Sequence, residues 1–163
     1  KQLLFMGSEF GQWREWSEES GLDWWLTDHE DHRGIQRCVR DMNAVYQSTP
    51  ALWEHDNDPA GFEWIVSDAA ADNTIAFLRN DSQGGQLAVV CNFSPVVRDN
   101  WRLALPTTGT WQEVLNTDSS LYGGGTNVGN YGAITAEPTE HLGRPASATI
   151  TVPPLATVWF RKA

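Results

Sequence analysis

Two histidines near the start of the chain have a spacing that suits metal binding. His29 and His32 lie three residues apart among acidic neighbours such as Asp28 and Asp31, and imidazole is a common ligand of transition metals. The same residues fit a charged helix start, because acidic side chains favour the positive end of the helix dipole. Since no second pair of ligands stands at the spacing of a metal site, we expect a helix start and no metal.

A long irregular segment, residues 7–31, contains these histidines and four tryptophans set among acidic residues. A flexible linker would be poor in tryptophan, whereas long ordered loops often carry function. Exposed indole rings can stack on sugars, but large aromatics in a long loop also hold the loop itself together. The pattern leaves both roles open for Trp13 and Trp16.

The charge balance limits the classes of partner. The chain has 21 acidic and 11 basic residues, a net charge of -10, which repels nucleic-acid phosphates and anionic membranes. No apolar run approaches the roughly 20 residues that cross a bilayer. We expect no nucleic acid, no membrane and a cytoplasmic location, while the nine tryptophans leave neutral ligands open.

The first third of the chain is expected to hold one strand and one helix around the irregular segment. Residues 1–6 are an apolar run typical of a strand buried in a parallel sheet. Its neighbours are missing and no initiating Met precedes it, so we expect a piece of a longer polypeptide. Residues 32–47 show helical spacing of apolar side chains, and a short turn is expected at 51–55.

From residue 62 onward the hydrophobic period is that of strands. Polar and glycine-rich turns separate them at the spacing of an antiparallel sandwich. Residues 122–146 form a long excursion whose glycines lack a dinucleotide-binding pattern. Cys38 and Cys91 lie in apolar periodic stretches and are expected to be buried free thiols. The predicted strands are 62–67, 74–79, 87–93, 101–105, 111–115, 148–152 and 156–160.

Short sequence stretches spread along the whole chain carry a family resemblance. They are GSEFGQWREW at 7–16, LDW at 22–24, HRGIQR at 32–37, DPAGFEW at 58–64, VCNFSP at 90–95, EVLNTDS at 113–119, GRP at 143–145 and PPLAT at 153–157. A single G-x-E-x-G would be weak, but ordered agreement at this many places is specific. Together they resemble the C-terminal part of bacterial-type 1,4-α-glucan (glycogen) branching enzymes of the α-amylase superfamily.

The resemblance implies a mainly β fold in two parts. Residues 1–56 would be the last strand, loop and helix of a catalytic (β/α)8 barrel, and residues 57–163 an α-amylase-type C-terminal antiparallel β-sandwich. The β-domain would be structural. We expect residues 1–56 of a truncated chain either to pair with a second copy or to pack against the sandwich, because an unpaired strand edge invites another chain.

The implied reaction cleaves an α-1,4 bond in a glucan and rejoins the freed segment to a 6-hydroxyl, making an α-1,6 branch. Such retaining chemistry uses two carboxyl groups about 5 to 5.5 Å apart, which this family places on earlier barrel strands. No residue of this chain is therefore assigned a catalytic role, and the isolated chain is expected to be inactive. No cofactor or metal is expected; the implied partners are an α-glucan such as glycogen or amylose and the upstream barrel.

Three residues are candidate substrate contacts, because barrel enzymes build their sites from loops that follow the strands. Glu9, Gln12 and Trp13 lie in such a loop. Glu9 would accept hydrogen bonds from sugar hydroxyls or neighbouring polar groups; the alternative is that it pairs with Arg14. Two other functions stay open: a carbohydrate-binding β-sandwich module, and the C-terminal part of another α-amylase superfamily glycoside hydrolase.

Overall fold

A computed structural model describes residues 3–126 and 128–163. The N-terminal segment is irregular, as expected for residues 7–31, apart from two short 3-10 helices at Ser8–Phe10 and Trp24–Asp28. The strand predicted at 1–6 is wrong for residues 3–6, which have no regular structure and expose their apolar side chains. A strand requires a neighbour to hydrogen-bond, and no described strand runs beside these residues. Residues 1 and 2 lie outside the described part of the chain.

One long helix, α1 (Glu30–Ser48), follows the loop and confirms the helix predicted at 32–47. Its first turn carries Glu30 and Asp31, where negative charge stabilises the helix. The turn expected at 51–55 begins with the 3-10 helix Pro50–Leu52. No helix within the described residues is long and apolar enough to cross a membrane.

The remainder is an antiparallel β-sandwich, which confirms the predicted fold class. The strands are β1 Phe62–Val66, β2 Thr74–Asn80, β3 Gln86–Asn92, β4 Arg98–Leu105, β5 Gly109–Asn116, β6 Ala133–Ala136, β7 Ala146–Val152 and β8 Ala156–Lys162. A six-stranded sheet has the order β1-β2-β3-β8-β5-β6, and a two-stranded sheet pairs β4 with β7. The main core lies between the two sheets, where Leu78, Leu103, Trp111 and Phe160 are fully buried.

Helix α1 packs against the outer face of the six-stranded sheet. Val45 and Tyr46 join a cluster built on the buried side chains of Leu52, Leu87 and Val89. This packing is one of the two outcomes expected for the N-terminal residues. It also gives the irregular segment a fixed support, because α1 contacts both 3-10 helices within that segment.

A second contact joins α1 to the loop after β5. Arg37 Nε donates a 2.8 Å hydrogen bond to the carbonyl oxygen of Leu121, and Tyr122 Oη donates to Asp41 Oδ2 at 3.0 Å. Gly34 is buried here, and a Cβ at this position would overlap the carbonyl group of Tyr122. The glycine therefore permits the close approach of helix and loop.

The two cysteines are free, as predicted, but they are half-buried, so the predicted burial of both thiols is wrong. Cys38 lies on α1, and Cys91 lies on β3 with its sulfur 3.3 Å from Thr157 Oγ1. Desolvation raises the pKa of each thiol above its ordinary value.

Candidate functional site

The loop that holds the candidate substrate contacts is shaped by two glycines. Gly7 and Gly11 flank the 3-10 helix Ser8–Phe10 and have φ angles of 89° and 66°, a backbone region that suits glycine. Between them Phe10 is fully buried and packs against Trp24 with the ring centroids 4.9 Å apart and the ring planes tilted. The loop is thus anchored by one aromatic side chain while its neighbours remain accessible.

Glu9 caps its own turn. Its Oε2 accepts a 2.8 Å hydrogen bond from the backbone N–H of Gly7. The alternative pairing of Glu9 with Arg14 is wrong, because Arg14 forms a double hydrogen bond with Asp23 at 2.6 and 2.8 Å. That hydrogen-bonded pairing lowers the pKa of Asp23 and raises the pKa of Arg14.

Gln12 links two parts of the irregular segment. Its Nε2 donates to the carbonyl oxygen of Arg14 at 2.9 Å, and its Oε1 accepts from the backbone N–H of Asp23 at 2.8 Å. The amide therefore uses both of its ends inside the protein. Gln12 and the Arg14–Asp23 pair together hold residues 12–14 against residue 23.

Trp13 presents its indole to the outside. Its side chain is 73% exposed, and its ring meets Trp25 edge-on at 6.0 Å and His32 at 5.0 Å. Trp25 is also exposed, at 54%. Trp16 instead lies edge-on to Phe5 at 5.7 Å. The Trp13 ring is accessible and is held by neighbouring rings. It is therefore compatible with stacking on a sugar, one of the two roles left open for these indoles.

The two histidines do not form a metal site with other residues in the described part of the chain. No cluster of three or more His, Cys, Asp or Glu side chains suited to a metal occurs among residues 3–126 and 128–163. His32 is buried, and its Nδ1 lies 2.8 Å from the carbonyl oxygen of Phe10. His32 therefore ties α1 to the loop.

Of the three candidate residues, Glu9 lines a cleft that does not include Gln12. Glu9 borders a cleft of about 460 Å³ against α1, together with Gln36 and Arg40, and Trp13 is not part of its lining. Sequence reasoning missed Asp23, the residue that fixes both Gln12 and Arg14. The only sequence signal for Asp23 was its place in the LDW stretch. Its partners Arg14 and Gln12 lie nine and eleven residues before it in an irregular loop, where no hydrophobic period predicts contacts.

The layered sheets, with all strand pairs antiparallel, form an all-β sandwich domain. Residues 64–163 match the family described as "Alpha amylase, C-terminal all-beta domain", and the chain belongs to that family.

Similarity to individual proteins extends beyond the β-domain. The chain is 52% identical over 161 residues to the 1,4-alpha-glucan branching enzyme GlgB of Leifsonia xyli subsp. xyli, which covers 99% of this chain and 22% of that protein. It is 52% identical over 169 residues to GlgB 1 of Streptomyces avermitilis, covering 100% of this chain and 20% of that enzyme. The chain spans about a fifth of the length of these curated relatives. The predicted resemblance to branching enzymes is confirmed.

Solved structures share the fold at low sequence identity. The catalytic module of the pneumococcal glycogen-degrading virulence factor SpuA matches with a TM-score of 0.55 at 16% identity, over 87% of this chain and 20% of that one. The pullulanase SAP of Group B Streptococcus matches with a TM-score of 0.51 at 16% identity, over 87% and 18%. At this identity the likeness concerns the fold alone.

Proposed function

We propose that this chain is the C-terminal part of a 1,4-α-glucan branching enzyme, which transfers α-1,4-glucan segments to 6-hydroxyls to form α-1,6 branches during cytoplasmic glycogen biosynthesis. The observation that carries the proposal is 52% identity to two branching enzymes over 99 to 100% of the chain. The catalytic carboxylates would belong to the preceding barrel, and this chain would support that barrel.

A cleft with exposed leucines is consistent with this structural role. A cavity of about 850 Å³ opens between the N-terminal residues, α1 and the segment 53–58. Leu3 and Leu4 line it and are 85% and 53% exposed, beside Val39 and Met42 of α1. Exposed apolar surface of this kind marks an interface. Since the relatives are about five times as long as this chain, we assign the cleft to the upstream barrel of the same polypeptide.

The loop carrying Glu9, Gln12 and Trp13 would border the glucan groove in the whole enzyme. Trp13 offers an exposed ring on which a glucose unit can stack. Glu9 has a second carboxylate oxygen with which to accept a sugar hydroxyl, beyond the one bound to Gly7. Gln12 would act mainly by keeping Trp13 in place, because both ends of its amide bind the protein.

A replacement experiment tests the proposal. The corresponding C-terminal segment of the Leifsonia xyli enzyme is exchanged for this chain, with the intact enzyme and a version lacking the segment as controls. Amylose treated with the exchanged enzyme should lose iodine staining and gain α-1,6 linkages. A folded chimera that hydrolyses amylose without forming branches would favour a hydrolase, and a folded chimera with no activity would refute the proposal.

A further inference from the structure

His32 lies on the first turn of α1 and is only 5% exposed. A buried imidazole needs partners for its polar atoms, and the loop that carries Trp13 supplies both a carbonyl oxygen and an aromatic ring. We propose that His32 is a positioning residue for branching, because it holds the Trp13 indole where the indole meets the glucan. The glucan contact rests on the proposed function, whereas the positioning of the indole rests on the contacts of His32.

The first of these contacts is a hydrogen bond to the loop backbone. Nδ1 of His32 lies 2.8 Å from the carbonyl oxygen of Phe10. A carbonyl oxygen can only accept a hydrogen bond, so Nδ1 carries the hydrogen and donates it. The side chain of Phe10 is itself fully buried. The donor on α1 therefore fixes the backbone three residues before Trp13.

The second contact is with the indole itself. The rings of His32 and Trp13 meet edge-on with their centroids 5.0 Å apart, and the Trp25 ring meets Trp13 edge-on at 6.0 Å. Pairs in this geometry attract each other beyond the apolar area that they bury. Trp13 nevertheless remains 73% exposed. Its neighbours thus hold one part of the indole and leave the rest accessible to a glucose unit.

Helix α1 gives His32 a rigid base. A Cβ at Gly11 would lie 2.7 Å from Cδ1 of Ile35 and 3.9 Å from Nδ1 of His32, so the loop backbone is closely packed on the helix. Two residues beyond His32, Gly34 packs against the carbonyl group of Tyr122. A side chain that positions another must itself be held by its surroundings. His32 meets this condition from the loop side and from the helix side.

The loss of a positioning contact should weaken glucan binding more than it slows the chemical step. The test uses the replacement enzyme, the Leifsonia xyli branching enzyme that carries this chain as its C-terminal segment. Trp13 would bind the glucan without taking part in bond cleavage, so His32→Ala should raise KM for amylose and change kcat less. The expected rise is about two- to tenfold, the range that one hydrogen bond contributes.

Two conservative variants test which ring atom matters. The side-chain nitrogen of asparagine falls near the position of Nδ1, whereas that of glutamine falls near Nε2. His32→Asn should therefore recover most of the lost affinity, and His32→Gln should behave like His32→Ala. Asp31→Asn, at an exposed neighbour on the same turn, is the matched control and should leave KM unchanged. Thermal unfolding checks that each variant is folded.

A double variant separates positioning from a general loss of stability. If His32 acts through Trp13, His32→Ala should add nothing to the KM of Trp13→Ala, because the ring that it positions is already gone. A general loosening of the enzyme would raise KM in both backgrounds. NMR of the indole N–H groups in the 163-residue chain provides a readout without activity. The Trp13 signal should become more mobile in His32→Ala and His32→Gln than in His32→Asn.

Four results would overturn the inference: an unchanged KM in His32→Ala, equal KM values for His32→Asn and His32→Gln, an additive effect in the double variant, or a Trp13 signal that ignores His32. Failure of the proposed function is seen separately, because the replacement enzyme with the unchanged chain would then form no branches. A replacement enzyme that branches amylose with a KM independent of His32 refutes the positioning role alone.

Discussion

Tyr122, in the loop after β5, donates a 3.0 Å hydrogen bond to Oδ2 of Asp41 on α1, joining residues 81 positions apart in sequence. Burial of the phenol, reinforced by this hydrogen bond and the negative charge of Asp41, raises the pKa of Tyr122 to about 12. The contact links the helix to a β-domain loop far from it in sequence. Because this contact with the helix helps to raise the pKa of Tyr122, the pH dependence of protein stability reports on the attachment of the helix.

Stability should fall between about pH 10 and pH 12. In this range the unfolded chain releases the Tyr122 proton near pH 10, whereas the folded chain keeps it until about pH 12. The folded state then binds more protons, so the free energy of unfolding decreases as pH rises, while the contribution is complete below pH 10. Urea unfolding from pH 9 to pH 12 should show this decline, and Tyr122→Phe should remove the part that belongs to the phenol. An identical decline in both proteins would contradict the assignment.

Gly34→Ala should destabilise the protein although alanine favours helices. In an exposed helix this change would stabilise by roughly 1 kcal/mol, but the added Cβ would overlap the Tyr122 carbonyl. Overpacking typically costs about 1 to 3 kcal/mol. Thermal unfolding should therefore show a lower midpoint for Gly34→Ala. Gly21→Ala, where a Cβ meets nothing within 4 Å, is the control and should have little effect; a more stable Gly34→Ala would show that helix and loop are not in contact.

The sequence predicted the elements whose patterns are local. The period of apolar residues predicted α1 and seven of the strands, with shifts of a few residues at their ends. It missed β6, because this edge strand has four residues and alternates only Ile134 and Ala136 inward. It missed the roles of Asp23 and Gly34 for another reason. Both act through partners distant in sequence, and no periodicity reports such contacts.

A shortened chain that begins at Asn57 should keep the β-sandwich folded. The main core lies between the two sheets and contains no residue from 1–56. The deletion would, however, uncover Leu87 and Val89 on the outer face and remove the 3.2 Å ion pair of Asp56 with Arg79. Amide exchange should show protected core strands, and light scattering should show more self-association than for the whole chain. If the shortened chain is unfolded, α1 is part of the folding unit and the division at residue 56 is wrong.

In the replacement enzyme, substitutions should distinguish a loop residue that contacts the glucan from one that holds the loop in place. Trp13→Ala removes an exposed ring and should raise KM for amylose with little change in thermal stability, because the side chain is 73% exposed. Gln12→Ala breaks the link to Asp23 and should lower both activity and the thermal midpoint. Glu18→Ala, an exposed carboxylate of the same segment, serves as the control. An unchanged KM for Trp13→Ala would show that Trp13 does not contact the glucan.

The assignment of chemistry to the upstream barrel is tested by incubating amylose with the purified 163-residue chain and recording anomeric proton signals by NMR. The proposed division of labour predicts no new α-1,6 signal and no free reducing ends, because branching requires a nucleophile and an acid that would both belong to the barrel. The replacement enzyme, assayed in parallel, should generate the α-1,6 signal. New branches formed by the chain alone, in preparations free of other glucan-active enzymes, would contradict this division and place catalytic carboxylates within these 163 residues.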